Sequence, residues 1–351
     1  MKVLIVTPYR QCAGGVESVN RMLQAIFESD GHEVEYLTAD EIADSRRSLS
    51  LNVMRRVVGL PAVTAARYQH VHPAEFDLVL ANGEFAWGID HPNVVCIFHG
   101  SYLGLRDHLG AQLNPAQYAS LSWQAQIQRF AARNKRVVAV SQFVAGILER
   151  QGIRVSGVIE NCVDTRLFQP ARRASTSRYL FVGSYHRFAK GFDVLEHLAS
   201  TGIDIDCVTD HAPGVGLRNL GTVAQKDMPS VYQSHRMLIF PSRFEAFGLA
   251  PLEAMSCGLP VVMRDVGIGR SLKATLPEFV VSVPDRPRAS TATLATAFAE
   301  HIERIEARYD ELAAAARDYV TRNHSYERFA SQWRALAHLP GAQPASVPAP
   351  C

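Results

Sequence analysis

Short runs of consecutive apolar, often β-branched residues recur along the chain. Most are followed by longer stretches in which apolar positions return every three or four residues. Runs of four to six apolar residues suit strands buried on both faces, whereas the longer spacing lays one stripe of a helix against a sheet. KVLIVT is the first such strand, GGVESVNRMLQAIFES predicts an amphipathic helix closed at Asp30 and Gly31, and HEVEYLT predicts the second strand. Strand-like runs return at FDLVLA, NVVCIFHG and RVVAVS. In NPAQYASLSWQAQIQRFAARN, Asn114 is placed to cap a helix and Pro115 to fill its first position, with apolar residues at 119, 123, 127 and 130. A βαβ opening continued in this way predicts a doubly wound α/β sheet.

The polar stretch DTRLFQPARRASTSR interrupts the pattern with Pro, Ser and Arg and reads as a linker. Beyond it the alternation starts again. YLFVGS, IDIDCVT, MLIFPS and PVVM predict strands, with helices at GFDVLEHLAS, DMPSVYQS and LAPLEAMSCG between them. At 351 residues the chain is long enough for two cores. The expected division is 1–165 for a first Rossmann-like domain and 166–325 for a second. A helix over 326–338, which could return to the first domain, and a disordered tail over 339–351 complete it. Facing sheets of this kind would place the chemistry in a cleft between the domains.

Charge adds an exclusion rather than a partner: 36 Lys and Arg against 34 Asp and Glu leave +2, which argues against a nucleic-acid binder. Six scattered cysteines lack any C-x-x-C pair or metal-ligand spacing and read as reduced thiols of a cytoplasmic protein. No run approaches the roughly 18 apolar residues of a membrane span. Two glycine turns, Gly14-Gly15 after the first strand and Lys190-Gly191 in the second half, could hold phosphate oxygens. Neither the G-x-G-x-x-G nor the G-x-x-x-x-G-K-[ST] pattern is present, which disfavours a dinucleotide cofactor and a P-loop.

The string EAFGLAPLE, with seven residues between Glu245 and Glu253, resembles the E-x7-E signature of the family 4 retaining glycosyltransferases of the GT-B fold. GGVE, GHEV, FHG, AVS, NCVDTRLFQP and FVGSYHRFAKGFDVL agree with it in order along nearly the whole chain. The resemblance implies two Rossmann-like domains facing an interdomain cleft, a nucleotide sugar bound mainly by the second domain, and an acceptor approaching from the first. It makes Glu253 the acceptor of both ribose hydroxyls, places Glu245 on hydroxyls of the donor sugar, and turns the backbone N–H groups of Gly248, Leu249 and Ala250 toward the diphosphate. Lys190 and Arg187 are the expected cations on that diphosphate, and His99 the expected contact near the reacting carbon. Asn161 and Asp164 read as hinge residues. Many relatives carry Arg after the V-G of the strand, where this chain has Ser184, so Arg187 is the candidate to supply the second charge.

These expectations describe a metal-independent, cytoplasmic transferase without a cofactor. It would move a hexose from a nucleoside-diphosphate sugar, a UDP-sugar slightly favoured, to a hydroxyl of a growing surface glycan or glycolipid. A nucleotide-sugar epimerase of the same fold and a non-catalytic nucleotide-sugar-binding subunit are the alternatives. Asp204 and Asp206 imitate a D-x-D metal motif, but they open a strand, which reads as a surface coincidence. The stretch from Ser45 to Ala74 has five arginines and no acid, with Leu49, Val53, Val57 and Leu60 on one helical face. It suits either peripheral contact with an anionic membrane carrying a lipid-linked acceptor or an ordinary amphipathic helix with a solvated basic face.

Overall fold

Six parallel strands form each of two sheets in the computed structural model, which describes residues 1–10, 14–39, 49–171, 178–183, 187–283 and 289–338. Ser184, the side chain of Arg187, residues 46–48, much of the expected linker and the tail from 339 lie outside this description. The chain divides into one unit of Met1–Ile159 with Ala330–Cys351 and a second of Glu160–Phe329.

The first unit runs β1 (Lys2–Val6), α1 (Gly15–Ser29), β2 (Glu33–Leu37), α2 (Leu49–Val58), α3 (Pro61–Tyr68), β3 (Leu78–Asn82), β4 (Val94–Phe98), α4 (Tyr102–Leu109), α5 (Pro115–Ala131), β5 (Arg136–Ala139), α6 (Gln142–Arg150) and β6 (Gly157–Val158). Its strand order, β2-β1-β3-β4-β5-β6, reverses direction at β1, so the carboxyl ends of β1 and β3 flank the switch point. β3 and β4 are buried at every position, as continuous apolar runs under helices on both faces require. α5 starts as its sequence dictates: the Asn114 side chain accepts from the Gln117 backbone, Gln117 returns the bond, and Pro115 fills the first turn.

The basic segment departs from the expected single helical face. Gly59, at φ 84, separates α2 from α3 before Pro61. α3 is buried over most of its length, whereas Val53, Met54 and Val57 of α2 are exposed beside Arg55 and Arg56.

The second unit runs β7 (Tyr179–Val182), α7 (Arg187–Lys190), α8 (Phe192–Ser200), β8 (Ile205–Val208), β9 (Leu217–Gly221), α9 (Met228–Gln233), β10 (Leu238–Phe240), α10 (Leu249–Ser256), β11 (Val261–Arg264), α11 (Gly269–Leu272), β12 (Val280–Val281), α12 (Thr291–Ala307), α13 (Tyr309–Asn323) and α14 (Tyr326–Ala337). The order is β12-β11-β10-β7-β8-β9, with its reversal between β7 and β10. Phe181 of β7 meets Phe192 of α8 edge to face at 4.9 Å and stacks near Phe240 of β10 at 6.3 Å, so the two strands at the switch point share one aromatic core with the helix above them. α14 begins in the second unit and ends in the first, where Arg334 grips both carboxylate oxygens of Asp30 and the Leu336 carbonyl accepts from Arg136.

Asp206 corrects its surface reading. Its side chain is fully buried in β8 and accepts from Arg178 and Arg218, with His235 Nε2 at 3.2 Å. A carboxylate wrapped by two guanidiniums is unsuited to a metal cation. Burial pushes its pKa up, but the hydrogen bonds from Arg178, Arg218 and His235 outweigh it and hold the carboxyl down to about 2. A depressed carboxylate stabilises the fold above its unfolded pKa of about 3.9 and loses that contribution as pH falls. We expect roughly 2 kcal/mol of stability to disappear between pH 4 and pH 2. Urea unfolding of Asp206→Asn, already weaker at pH 7, should lack this window.

Candidate functional site

At the carboxyl end of β10 the chain enters the loop that carries Glu245 and then turns into α10 through Gly248, whose φ of 100 is a conformation side chains rarely adopt. Ile268 N–H donates to the Phe247 carbonyl at 2.7 Å, which fixes the loop against the turn before α11. Lys190, the last residue of α7, donates from Nζ to Glu245 Oε2 at 2.6 Å, and both side chains are largely shielded from solvent. Lys190 reaches that position because Gly191, at φ 76, lets the backbone turn tightly against β10. A Cβ there would lie 2.5 Å from the Pro241 carbonyl oxygen.

Arg243 builds the rest of this support. Its backbone N–H donates to the Ala189 carbonyl at 2.7 Å. Its guanidinium pairs with both oxygens of Asp193 at 2.6 and 2.7 Å, donates to the Phe188 carbonyl at 2.9 Å and lies over the Phe188 ring. Thr291 also donates to Asp193. Sequence reasoning passed over Arg243 and Asp193, although each lies within a motif it used, two residues before Glu245 and three after Lys190.

Glu253 follows one turn along α10. Gln225 donates to its Oε1 at 2.7 Å and the Tyr232 hydroxyl to its Oε2 at 2.8 Å. Burial raises its pKa, and these two bonds oppose the rise. A carboxylate offers about four lone-pair positions, so two remain for a vicinal diol. Tyr232 and Gln225 gave no local signal, because their meaning depends on contacts across 21 and 28 residues.

In the first unit His99 follows β4 at the carboxyl end of the sheet. Its Nε2 lies 3.0 Å from Asn82 Oδ1, Asn82 Nδ2 donates to Asn20 Oδ1, and Asn20 Nδ2 donates to Thr7 Oγ1, both at 3.1 Å. That chain gives Asn82 its orientation, so His99 donates from Nε2 and keeps a lone pair on Nδ1. Burial pushes its pKa down to about 4, which keeps the ring neutral at pH 7. Gly14 caps α1 in an extended conformation, and the Glu17 carboxylate occupies the space a Cβ would take, 2.3 Å from that position. An acid therefore already faces the Gly14-Gly15 turn.

Of the residues singled out in the sequence, the second unit gathers Lys190, Glu245, Gly248, Leu249, Ala250 and Glu253 around the start of one helix. Gly14, Gly15 and His99 belong to the first unit. Among the described residues no group of three or more His, Cys, Asp or Glu side chains could hold a metal ion. No helix among them is long and apolar enough to cross a membrane.

Residues 13–167 match the family described as Glycosyltransferase Family 4, and residues 176–305 that described as Glycosyl transferases group 1. The chain is 45% identical over 64 residues to the O-antigen chain mannosyltransferase B of Escherichia coli, a match covering 18% of this chain and 15% of that protein. It is 24% identical over 304 residues to the GDP-mannose-dependent alpha-(1-6)-phosphatidylinositol dimannoside mannosyltransferase of Mycobacterium tuberculosis H37Ra, covering 74% and 78%. Matches to three of the curated relatives span only 15, 16 and 28% of their length. The structure of Anabaena HepE in complex with UDP and glucose superposes with a TM-score of 0.67 at 17% identity, over 97% of this chain and 100% of that one, which shows a shared fold. One glycosyltransferase profile falls on each half of the chain, and each unit carries a six-stranded parallel sheet of the Rossmann type: the chain belongs to glycosyltransferase family 4.

Proposed function

We propose that the protein transfers a hexose from a nucleoside-diphosphate sugar to a hydroxyl of a growing glycan or lipid-linked saccharide, with retention at the anomeric carbon and without a metal. The observation that carries this reading is the Lys190–Glu245 pair at the start of α10, with Glu253 one turn further on. A cation, a helix N-terminus and two carboxylates match the three parts of one donor. Glu253 accepts from the ribose, and Lys190 with the N–H groups of Leu249 and Ala250 offsets the charge that develops on the departing diphosphate. Glu245 accepts from hydroxyls of the sugar, and neutral His99 offers Nδ1 to another. Retention follows the front-face route: the leaving phosphate oxygen takes the acceptor proton while the new bond forms on the same side of the sugar.

The two relatives named above are mannosyltransferases, so GDP-mannose is the first donor to test, ahead of the UDP-sugars. The exposed Val53, Met54 and Val57 beside Arg55 and Arg56 favour peripheral contact of α2 with an anionic cytoplasmic membrane face.

The deciding experiment screens GDP-, UDP- and ADP-sugars for thermal stabilisation, which reaches about 2.7 kcal/mol at a hundredfold excess over Kd. Transfer is then followed in excess EDTA, with the anomer read by NMR. Retained configuration and full activity in EDTA are expected. An inverted product would refute retention, rescue only by Mg²⁺ or Mn²⁺ would refute the metal-free reading, and stabilisation by no nucleotide sugar would remove the donor class.

A further inference from the structure

The first unit holds a cavity of about 950 Å³ where α5 ends, β5 begins and the loop from α6 leads to β6. Arg129, Arg133, Lys135, Arg136 and Arg154 line it, and no Asp or Glu does. Arg136 is committed to the structure: it is buried and donates to the Leu336 carbonyl and to Asn93 Oδ1. The other four reach no carboxylate within ion-pairing distance among the described residues. Arg129, Arg133 and Arg154 are exposed and Lys135 is half-buried. Burial pushes the Lys135 pKa down, and the carboxylate that opposes this, Asp90, is not part of the lining.

Such a concentration of one sign is unusual in a chain whose net charge is only +2. Like charges around a concave wall repel one another and focus a positive potential into the space between them. The cavity lies away from the sugar site of the same unit. Arg136 pairs with Val95 near the start of β4, whereas His99 follows Phe98 at its end, about 13 Å along the strand direction. Its volume falls within the range that takes small-molecule ligands. Three guanidinium forks present paired donors suited to phosphate oxygens, and Arg133 also lies 6.0 Å from the exposed Phe130 ring.

We propose that this cavity binds a ligand carrying two or more phosphates, presented either in solution or as the headgroups of an anionic membrane. The site is separate from the donor site and does not depend on the proposed transfer reaction. The test titrates tripolyphosphate by calorimetry into the full chain carrying Lys190→Ala, which weakens the donor site. The same titration is made with Arg129→Ser, Arg133→Ser and Arg154→Ser added together. In parallel, both proteins are sedimented with phosphatidylglycerol vesicles. All three arginines are exposed, so unfolding temperature should not change, and sugar transfer by the triple variant in the otherwise native chain should stay at the native level.

Saturable tripolyphosphate binding that falls at least tenfold in the triple variant, and that weakens as salt rises, is the expected result. Vesicle retention that the same substitutions weaken, without tripolyphosphate binding, would assign the phosphates to lipid. If the two proteins behave alike toward both probes, the cavity is only a solvated basic surface and the proposal fails. Lys135→Gln alone, tested with tripolyphosphate, should give a smaller loss in the same direction.

Discussion

Replacing Lys190 by alanine should lower kcat about 10²-fold or more, the loss that follows removal of a preorganised donor from developing charge. The structure gives a second reason for a large effect. Lys190 also neutralises Glu245 at 2.6 Å, so its removal leaves a carboxylate unopposed beside the proposed place of the departing diphosphate. Lys190→Ala should therefore be worse than Glu245→Gln, which misplaces the sugar but adds no repulsion. Glu253→Ala should raise KM for the donor and weaken binding of the bare nucleotide, because the proposed ribose contact would be made in ground and transition states alike. Arg187→Ala measures whether Lys190 carries the charge alone: a loss also near 10²-fold would give the diphosphate two cations. Steady-state kinetics with the identified donor checks all four variants, and near-native turnover by Lys190→Ala would remove that residue from the chemistry.

The second large effect is expected at Asp193, which touches no proposed substrate group. Asp193→Ala strips the buried Arg243 guanidinium of both its carboxylate bonds and leaves it the Phe188 carbonyl. Breaking a buried pair from one side costs about 3–5 kcal/mol. Urea unfolding should register that loss, and kcat should fall with it, since the same clamp holds the turn from which Lys190 extends. The pair Asp193→Leu with Arg243→Met separates the two effects. Filling the space with apolar groups restores much of the stability, yet it does not restore the bond from Arg243 to the Phe188 carbonyl. A double variant that regains both stability and full kcat would show the clamp to be a stability device only.

The fold was legible where the signal is local. Asn114 and Pro115 announce the start of α5, the apolar runs announce β1, β3, β4, β7 and β10, and Gly191 and Gly248 mark the turns that seat Lys190 and Glu245. β9 was missed because its strand, LRNLG, is polar: Arg218 is there for Asp206 on the neighbouring strand, not for a core. The break between α2 and α3 was missed because apolar spacing continued across Gly59. The candidate site divides in the same way. Lys190, Glu245 and Glu253 sit in short motifs, whereas the partners that orient them are set by contacts over tens of residues. Arg243 with Asp193, Tyr232 with Glu253, and the Asn20–Asn82–His99 chain have no signature until the sheets bring them together.

The return of α14 to the first unit sets an order of events during synthesis. The second unit, Glu160–Phe329, is contiguous and can complete its contacts as soon as its last residue leaves the ribosome. The first unit, though made first, must wait for Ala330 and the residues after it. Until then the Asp30 carboxylate lacks Arg334, and Arg136 lacks the Leu336 carbonyl. The half of the protein translated earliest is thus finished last. A nascent chain stalled before residue 330 should expose an unfinished first unit to chaperones and proteases while the second is already protected.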